Sequence, residues 1–146
     1  SLNAFGVFGI ELFATADGKV SVNEIAPRTH NSGHLTIEAC ATSQFSQLIR
    51  AVAGLPLGST ELTCGGAVMI NLLGYENAHN DYLVERQQIS ALPNTSVHWY
   101  GKQAARIGRK LGHVTILVGT DAENEHQDYR SQAEALARQV ETIWYR

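Results

Sequence analysis

The amino-acid sequence predicts an α+β fold, and three observations carry that expectation. Two apolar, β-branched runs, residues 5–15 and 19–26, flank Asp17-Gly18 as the strands of a β-hairpin flank their turn. Apolar residues recur at helical spacing over residues 43–53 and again over 129–145. Between those stretches, residues 67–73, 97–100 and 111–118 read as short strands rich in Val, Ile and Leu.

The hairpin comes first along the chain. A two-residue Asp17-Gly18 loop of type I′ sets Ala16 opposite Lys19, because both loop residues tolerate the positive φ that this turn requires. Counting back from that turn puts Glu11 opposite Glu24, with Cβ atoms about 4.5–5.5 Å apart. The same register places Phe13, Val20, Val22 and Ala26 on the face of the two glutamates. Pro27 ends the second strand, and residues 29–33 form a loop. A helical turn is expected over 35–40. A firmer helix follows over about 43–53, with Ser43 as N-cap and Phe45, Leu48, Ile49 and Val52 on one face; Gly54 and Pro56 end it. The turn-rich stretch 54–66 marks a boundary, dividing the chain into domains 1–58 and 59–146. Residues 75–94 are polar and carry no clear period. Two strands then flank a basic loop, and a final helix over 129–145 presents Ala133, Leu136, Ala137, Val140 and Trp144 as its core stripe.

Composition narrows the classes of function. With 146 residues, the chain can form one compact domain or two small ones. It is 44% hydrophobic and 17% charged, the balance of an ordered globular protein. A net charge of −3 provides no overall field for nucleic acid or an anionic membrane. No apolar run approaches the ~20 residues of a membrane span, and a cytoplasmic location is expected. Cys40 and Cys64 sit in unlike contexts without metal-ligand spacing, which reads as reduced thiols. Strand character begins almost at once, at Phe5, and the first residue is not methionine. On those grounds the chain reads as a piece of a longer protein.

Two features point to chemistry. Like-charged Glu11 and Glu24, opposed across a hairpin, repel each other and call for a cation between them. They are either two solvated glutamates in a slipped register or a Mg²⁺ site, since Mg²⁺ takes one or two carboxylates and completes its shell with phosphate oxygens and water. In "NEIAPRTHNSGH", Asn23 to His34, Arg28 is either a surface ion-pair partner or a cation that stabilises charge in phosphoryl transfer. His30, Asn31 and His34 add hydrogen-bonding groups. No zinc-type Cys/His spacing and no H-E-x-x-H pattern is present. The second feature is "KQAARIGRKLGH", where Lys102, Arg106, Arg109 and Lys110 concentrate positive charge in an acidic chain. It is a solvated basic loop or an anion site whose glycines admit close backbone approach. It lacks the aromatic interleaving of a nucleic-acid-binding segment.

At these residues the sequence resembles a known family. "GVFGIELFATADGKVSVNEIAPRTHNSGHLTIEACATSQFSQLIRAVAGLPLG", Gly6 to Gly58, is similar to the last part of an ATP-grasp domain, and specifically to N5-carboxyaminoimidazole ribonucleotide synthetases. "AVMINLLG", "HWYGK" and "GRKLGH" extend the likeness to about His113. The resemblance covers essentially the whole chain but less than half of the usual enzyme. It implies the C-terminal part of an ATP-grasp domain, then a small β-rich domain of rudiment-single-hybrid or barrel-sandwich type closed by a helix. It further implies a ligase that uses ATP and Mg²⁺ to carboxylate 5-aminoimidazole ribonucleotide with bicarbonate, commonly a homodimer, with the N-terminal part of the enzyme as the missing partner. By motif it implies Glu11 and Glu24 as metal ligands, Asn23 and Glu24 as nucleotide contacts and Arg28 and His30 as catalytic. Asn31, Lys102, Arg109 and Lys110 become substrate-binding residues. Ala26 stands where many ATP-grasp enzymes place an Asn ligand, a departure that leaves the third protein ligand open. Lacking the groups that position ATP, the isolated chain is expected to be inactive. Two rivals remain. One is a formate-using glycinamide ribonucleotide transformylase, which should carry an acid at the Asn31 position. The other is a non-catalytic nucleotide- or phosphate-binding module.

Overall fold

The structure is a computed structural model and describes residues 3–120 and 128–146. It divides into two compact units, Ser1–Glu61 and Leu62–Arg146. Both are α+β, and all sheet pairing is antiparallel.

The first unit opens with strand β1 (Gly9–Ala14) paired antiparallel to β2 (Val20–Ala26). The expected two-residue loop is corrected by the structure to three residues, Ala16-Asp17-Gly18. Thr15 N–H donates to the Lys19 carbonyl at 2.9 Å, and Gly18 N–H donates to the Thr15 carbonyl at 2.9 Å. Gly18 stands at φ +80°, the left-handed position that completes such a loop. Near the turn the pairs are therefore Ala14 with Val20 and Leu12 with Val22, one step from the expected register. A β-bulge between Glu11 and Leu12 then restores it, so that Glu11 does oppose Glu24. Asn23 is the extra residue. One expectation falls with the shift. Val20 and Val22 pair with Ala14 and Leu12 and leave the glutamate face, whereas Phe13 and Ala26 stay on it.

After Pro27 the chain makes a 3₁₀ turn (Asn31–Gly33) and a single helical turn, α1 (Thr36–Ala39). Helix α2 (Gln44–Val52) begins at the expected N-cap, where the Ser43 hydroxyl accepts from Ser46 N–H at 3.2 Å. It ends in a Schellman motif: Gly54 N–H reaches the Ala51 carbonyl, and Leu55 N–H reaches Arg50 at 2.8 Å.

The second unit is a three-stranded sheet of order β3-β5-β4. Its strands are β3 (Gly66–Leu73), β4 (Thr95–Trp99) and β5 (Lys110–Val118). Helix α3 (Leu83–Ser90) forms inside the stretch that showed no period. Two polar side chains start it: Asn80 Oδ1 accepts from Tyr82 N–H at 3.0 Å, and Asp81 Oδ1 accepts from Leu83 N–H at 3.1 Å. Helix α4 (Tyr129–Trp144) is capped by Asp128, which accepts from Ser131 N–H at 3.1 Å. The core gathers Leu72 from β3, Tyr82 and Ile89 around α3, Leu111, Val114 and Ile116 from β5, and Val140 and Trp144 from α4. Trp144 Nε1–H donates to the Leu73 carbonyl at 2.7 Å, so its polar edge is satisfied inside that core. Cys40 and Cys64 are free thiols, as expected. Among the described residues, no helix is long and apolar enough to cross a membrane.

Candidate functional site

The bulge in β2 builds the first cluster. Where two residues of one strand oppose a single residue of the other, the ladder bends and side chains are re-aimed. Here Asn23 and Glu24 together oppose Glu11. Asn23 Nδ2 donates to Glu11 Oε2 at 3.0 Å and fixes that carboxylate. The His30 ring completes the group, with Nδ1 3.6 Å from Glu11 Oε1 and Nε2 3.9 Å from Glu24 Oε1. The imidazole side chain is only 13% exposed, against 39% for Glu11 and 52% for Glu24. A group able to carry positive charge thus stands against both carboxylates, where repulsion between them calls for one. Ser32 Oγ lies 2.8 Å from His30 Nδ1.

The donor set also suits Mg²⁺. Opposed carboxylates supply hard oxygen ligands, and among the described residues no group of three or more His, Cys, Asp or Glu could hold a metal on protein side chains alone. A cation here would complete its shell with phosphate and water oxygens. Ala26 is buried and contributes no ligand.

The remaining residues of the motif are placed less tightly. Arg28 is exposed, and its Nη1 donates to the Thr29 carbonyl at 3.0 Å. Asn31 opens the 3₁₀ turn, and its carbonyl accepts from His34 N–H at 3.0 Å. His34 stacks on Phe45 at 5.6 Å between ring centroids. Gln44 was not marked by the sequence. It bonds both backbone groups of His30, at 2.8 and 2.9 Å, and lies 2.9 Å from His34 Nδ1. A glutamine at the start of a helix is an ordinary helix former, and no pattern distinguishes this one from Gln47.

The basic loop lies in the second unit. Lys102 Nζ donates to the Lys110 carbonyl and stands 5.5 Å from the Tyr100 ring centroid. Tyr100 Oη lies 2.8 Å from His113 Nδ1, and burial pushes the tyrosine pKa up. Arg109 Nη1 donates to the Ala104 carbonyl at 2.8 Å. The chain between them is pinned by Gly74, which donates to the Arg109 carbonyl and accepts from Gly108 N–H, each at 2.8 Å. Lys102 and Arg109 each bond a loop carbonyl and still carry further N–H donors. Lys110 opens β5 with an exposed side chain, and Arg106 is exposed as well.

Comparison with known proteins matches two families along the chain. The ATP-grasp domain family matches residues 1–45, and the phosphoribosylaminoimidazole carboxylase C-terminal domain family matches residues 67–127. An N5-carboxyaminoimidazole ribonucleotide synthase from Synechococcus elongatus is 52% identical over 139 residues, covering 95% of this chain and 34% of the relative. Among solved structures, the Thermotoga maritima synthetase aligns with a TM-score of 0.79 at 46% identity, over 95% of this chain and 36% of that one. The Aspergillus clavatus synthase, solved with ADP and 5-aminoimidazole ribonucleotide, aligns at 0.80 and 36% identity, over 97% of this chain and 35% of that one. The chain spans about a third of the length of the relatives it matches.

Proposed function

We propose, from the premise that this chain is a member of the N5-carboxyaminoimidazole ribonucleotide synthase family matching about a third of its relatives' length, that it serves an ATP-dependent carbon–nitrogen ligase. The reaction is carboxylation of the amino group of 5-aminoimidazole ribonucleotide with bicarbonate in purine biosynthesis, with ATP converted to ADP and phosphate. The observation that carries this reading is the bulged hairpin that brings Glu11, Asn23, Glu24 and His30 together.

Each residue then has a role. Glu11 and Glu24 hold Mg²⁺, which when bound supplies positive charge to the phosphate oxygens. Asn23 orients Glu11 through its amide N–H and, with Glu24, faces the nucleotide. Arg28, on the exposed turn after Pro27, offers its guanidinium to the phosphoryl group as it passes to bicarbonate. His30, beside both carboxylates, is the group that moves a proton as the amine becomes a carbamate. Asn31 binds substrate beside it. In the second unit, Lys102, Arg109 and Lys110 hold the phosphate of the ribonucleotide. We assign the protein a cytoplasmic location and a homodimeric state.

The test is Glu24→Gln in a full-length ligase carrying these residues, with ADP formation followed against Mg²⁺ concentration. Turnover should fall by at least about a hundredfold, since even outer-shell partners of metal ligands cost roughly 10–100-fold. Near-normal turnover at subsaturating Mg²⁺ would remove the metal role from Glu24.

A further inference from the structure

We infer that Gln44 is a positioning residue whose carboxamide sets the His30 imidazole between Glu11 and Glu24. The inference rests on the functional reading of His30 given above, and its geometry stands separately. His30 has extended backbone, φ −120° and ψ 151°. In that conformation the N–H and C=O of one residue point the same way, as they do toward a neighbouring strand. Among the described residues, no strand pairs with it. Gln44 takes its place: Oε1 accepts from His30 N–H at 2.8 Å, and Nε2 donates to the His30 carbonyl at 2.9 Å. A primary amide is the side-chain group that offers a donor and an acceptor side by side, so it can close both bonds at once.

The same two bonds fix which end of the amide is nitrogen. Nε2 therefore also donates to His34 Nδ1, 2.9 Å away, and the ring proton of neutral His34 sits on Nε2. One side chain thus holds both histidines of the motif. Two glycines make the approach possible. A methyl group at Gly33 would fall 2.6 Å from Gln44 Oε1, and one at Gly9 would fall 2.5 Å from His30 Cβ. Gly33 admits the amide to the turn, and Gly9 admits the imidazole to β1 beside Glu11. Helix α2 holds the amide in turn. Gln44 is its first residue, its own N–H donates to Thr36 Oγ1 at 2.9 Å, and Thr36 Oγ1 donates to the Gly33 carbonyl at 2.6 Å. The histidine is placed by a capped helix rather than by a loose loop.

The experiment has two arms. In the 146-residue chain, proton NMR reads the close approach of the His30 side chain to Gly9 Hα, while amide exchange reports whether α2 is intact. Gln44→Ala should abolish the His30–Gly9 cross-peak with α2 still protected. Gln44→Glu keeps the acceptor but turns an anion on the His30 carbonyl, and it too should lose the cross-peak. Gln47→Ala, one turn along the helix, should retain it. A retained cross-peak in both Gln44 variants overturns the inference. In the full-length ligase, Gln44→Ala should lower kcat about 10–100-fold with the KM for ATP little changed, as expected for a misplaced catalytic group. Loss of the cross-peak with kcat intact would leave the clamp standing and remove His30 from catalysis. A rise in the KM for ATP alone would overturn the positioning role.

Discussion

The two sheets of this chain are built from similar residues and end in opposite environments. In the β1–β2 hairpin, Ile10, Leu12, Phe13, Val20, Val22 and Ile25 are all more than half exposed. In the β3-β5-β4 sheet, Val114 and Ile116 of the central strand are sealed from solvent. Among the described residues of the first unit, only Ala26 and Ala39 are buried. The difference lies in what each unit packs on its sheet. Helices α3 and α4 bring Ile89, Val140 and Trp144 down onto the second sheet. The first unit instead directs its short helices to holding a polar turn, through Ser43, Gln44 and Thr36. Apolar patterning identifies strands in both units, but burial depends on the covering layer.

That contrast makes its largest prediction for stability. Trp144→Ala removes a side chain that is 1% exposed and leaves the Leu73 carbonyl without its indole donor. It should cost about 3–5 kcal/mol in denaturant unfolding of the second unit. Phe13→Ala, at 59% exposure, should change stability by no more than about 0.5 kcal/mol. Equal losses would show that the hairpin has a core partner of its own and would break the comparison.

The same contrast shows which parts of the molecule could be read from residues alone. A hairpin that brings Glu11 close to Glu24 was legible because Asp17-Gly18 marks a turn. The three-residue loop and the compensating bulge were not, since either loop length accepts Asp-Gly and no residue type announces a bulge at Asn23. The α4 stripe was legible from its spacing. Helix α3 was not, because Leu83–Ser90 buries only Ile89 and is preceded by two side-chain turns, at Asn80 and Asp81, rather than by a capping side chain. Asn23, Glu24 and His30 stand out as chemical groups in the sequence. Gln44, which holds His30, has a common residue type in a common place, and its role exists only once the turn has folded against α2.

A smaller prediction separates the units by kinetic role. On the proposed function the acidic cluster would face the reacting groups, so its variants should act on kcat. On the same reading the basic loop would hold a remote phosphate, and binding that is equal in ground and transition states appears in KM. Charged hydrogen bonds are worth about 1.5–3 kcal/mol, so Arg109→Ala in the full-length ligase should raise the KM for 5-aminoimidazole ribonucleotide roughly ten- to a hundredfold. The KM for ATP should hardly move, and Arg106→Ala should be milder. Steady-state kinetics with each substrate varied in turn checks this. An Arg109→Ala variant that raised the KM for ATP and spared the ribonucleotide would assign the loop to the nucleotide site.

The smallest expected effect concerns the two helix caps. Helix α2 has no buried residue and leans on Ser43, whose removal in Ser43→Ala should cost about 1 kcal/mol. Helix α4 is anchored by Val140 and Trp144, and its Asp128 cap works at an exposed end. The two caps should also differ in acid. Hydrogen bonds from the Ser131 hydroxyl and backbone N–H hold the Asp128 carboxyl below its ordinary value of 3.8. A folded pKa that is depressed means the cap's contribution is fully present above 3.8 and is lost as pH falls through the folded value. The Ser43 hydroxyl does not titrate. In an NMR acid titration, the Ser131 amide should therefore move with a midpoint below 3.8, while the Ser46 amide shows no transition of its own cap. A Ser131 midpoint at or above 3.8 would mean that Asp128 does not hold the first turn of α4 as its hydrogen bonds require.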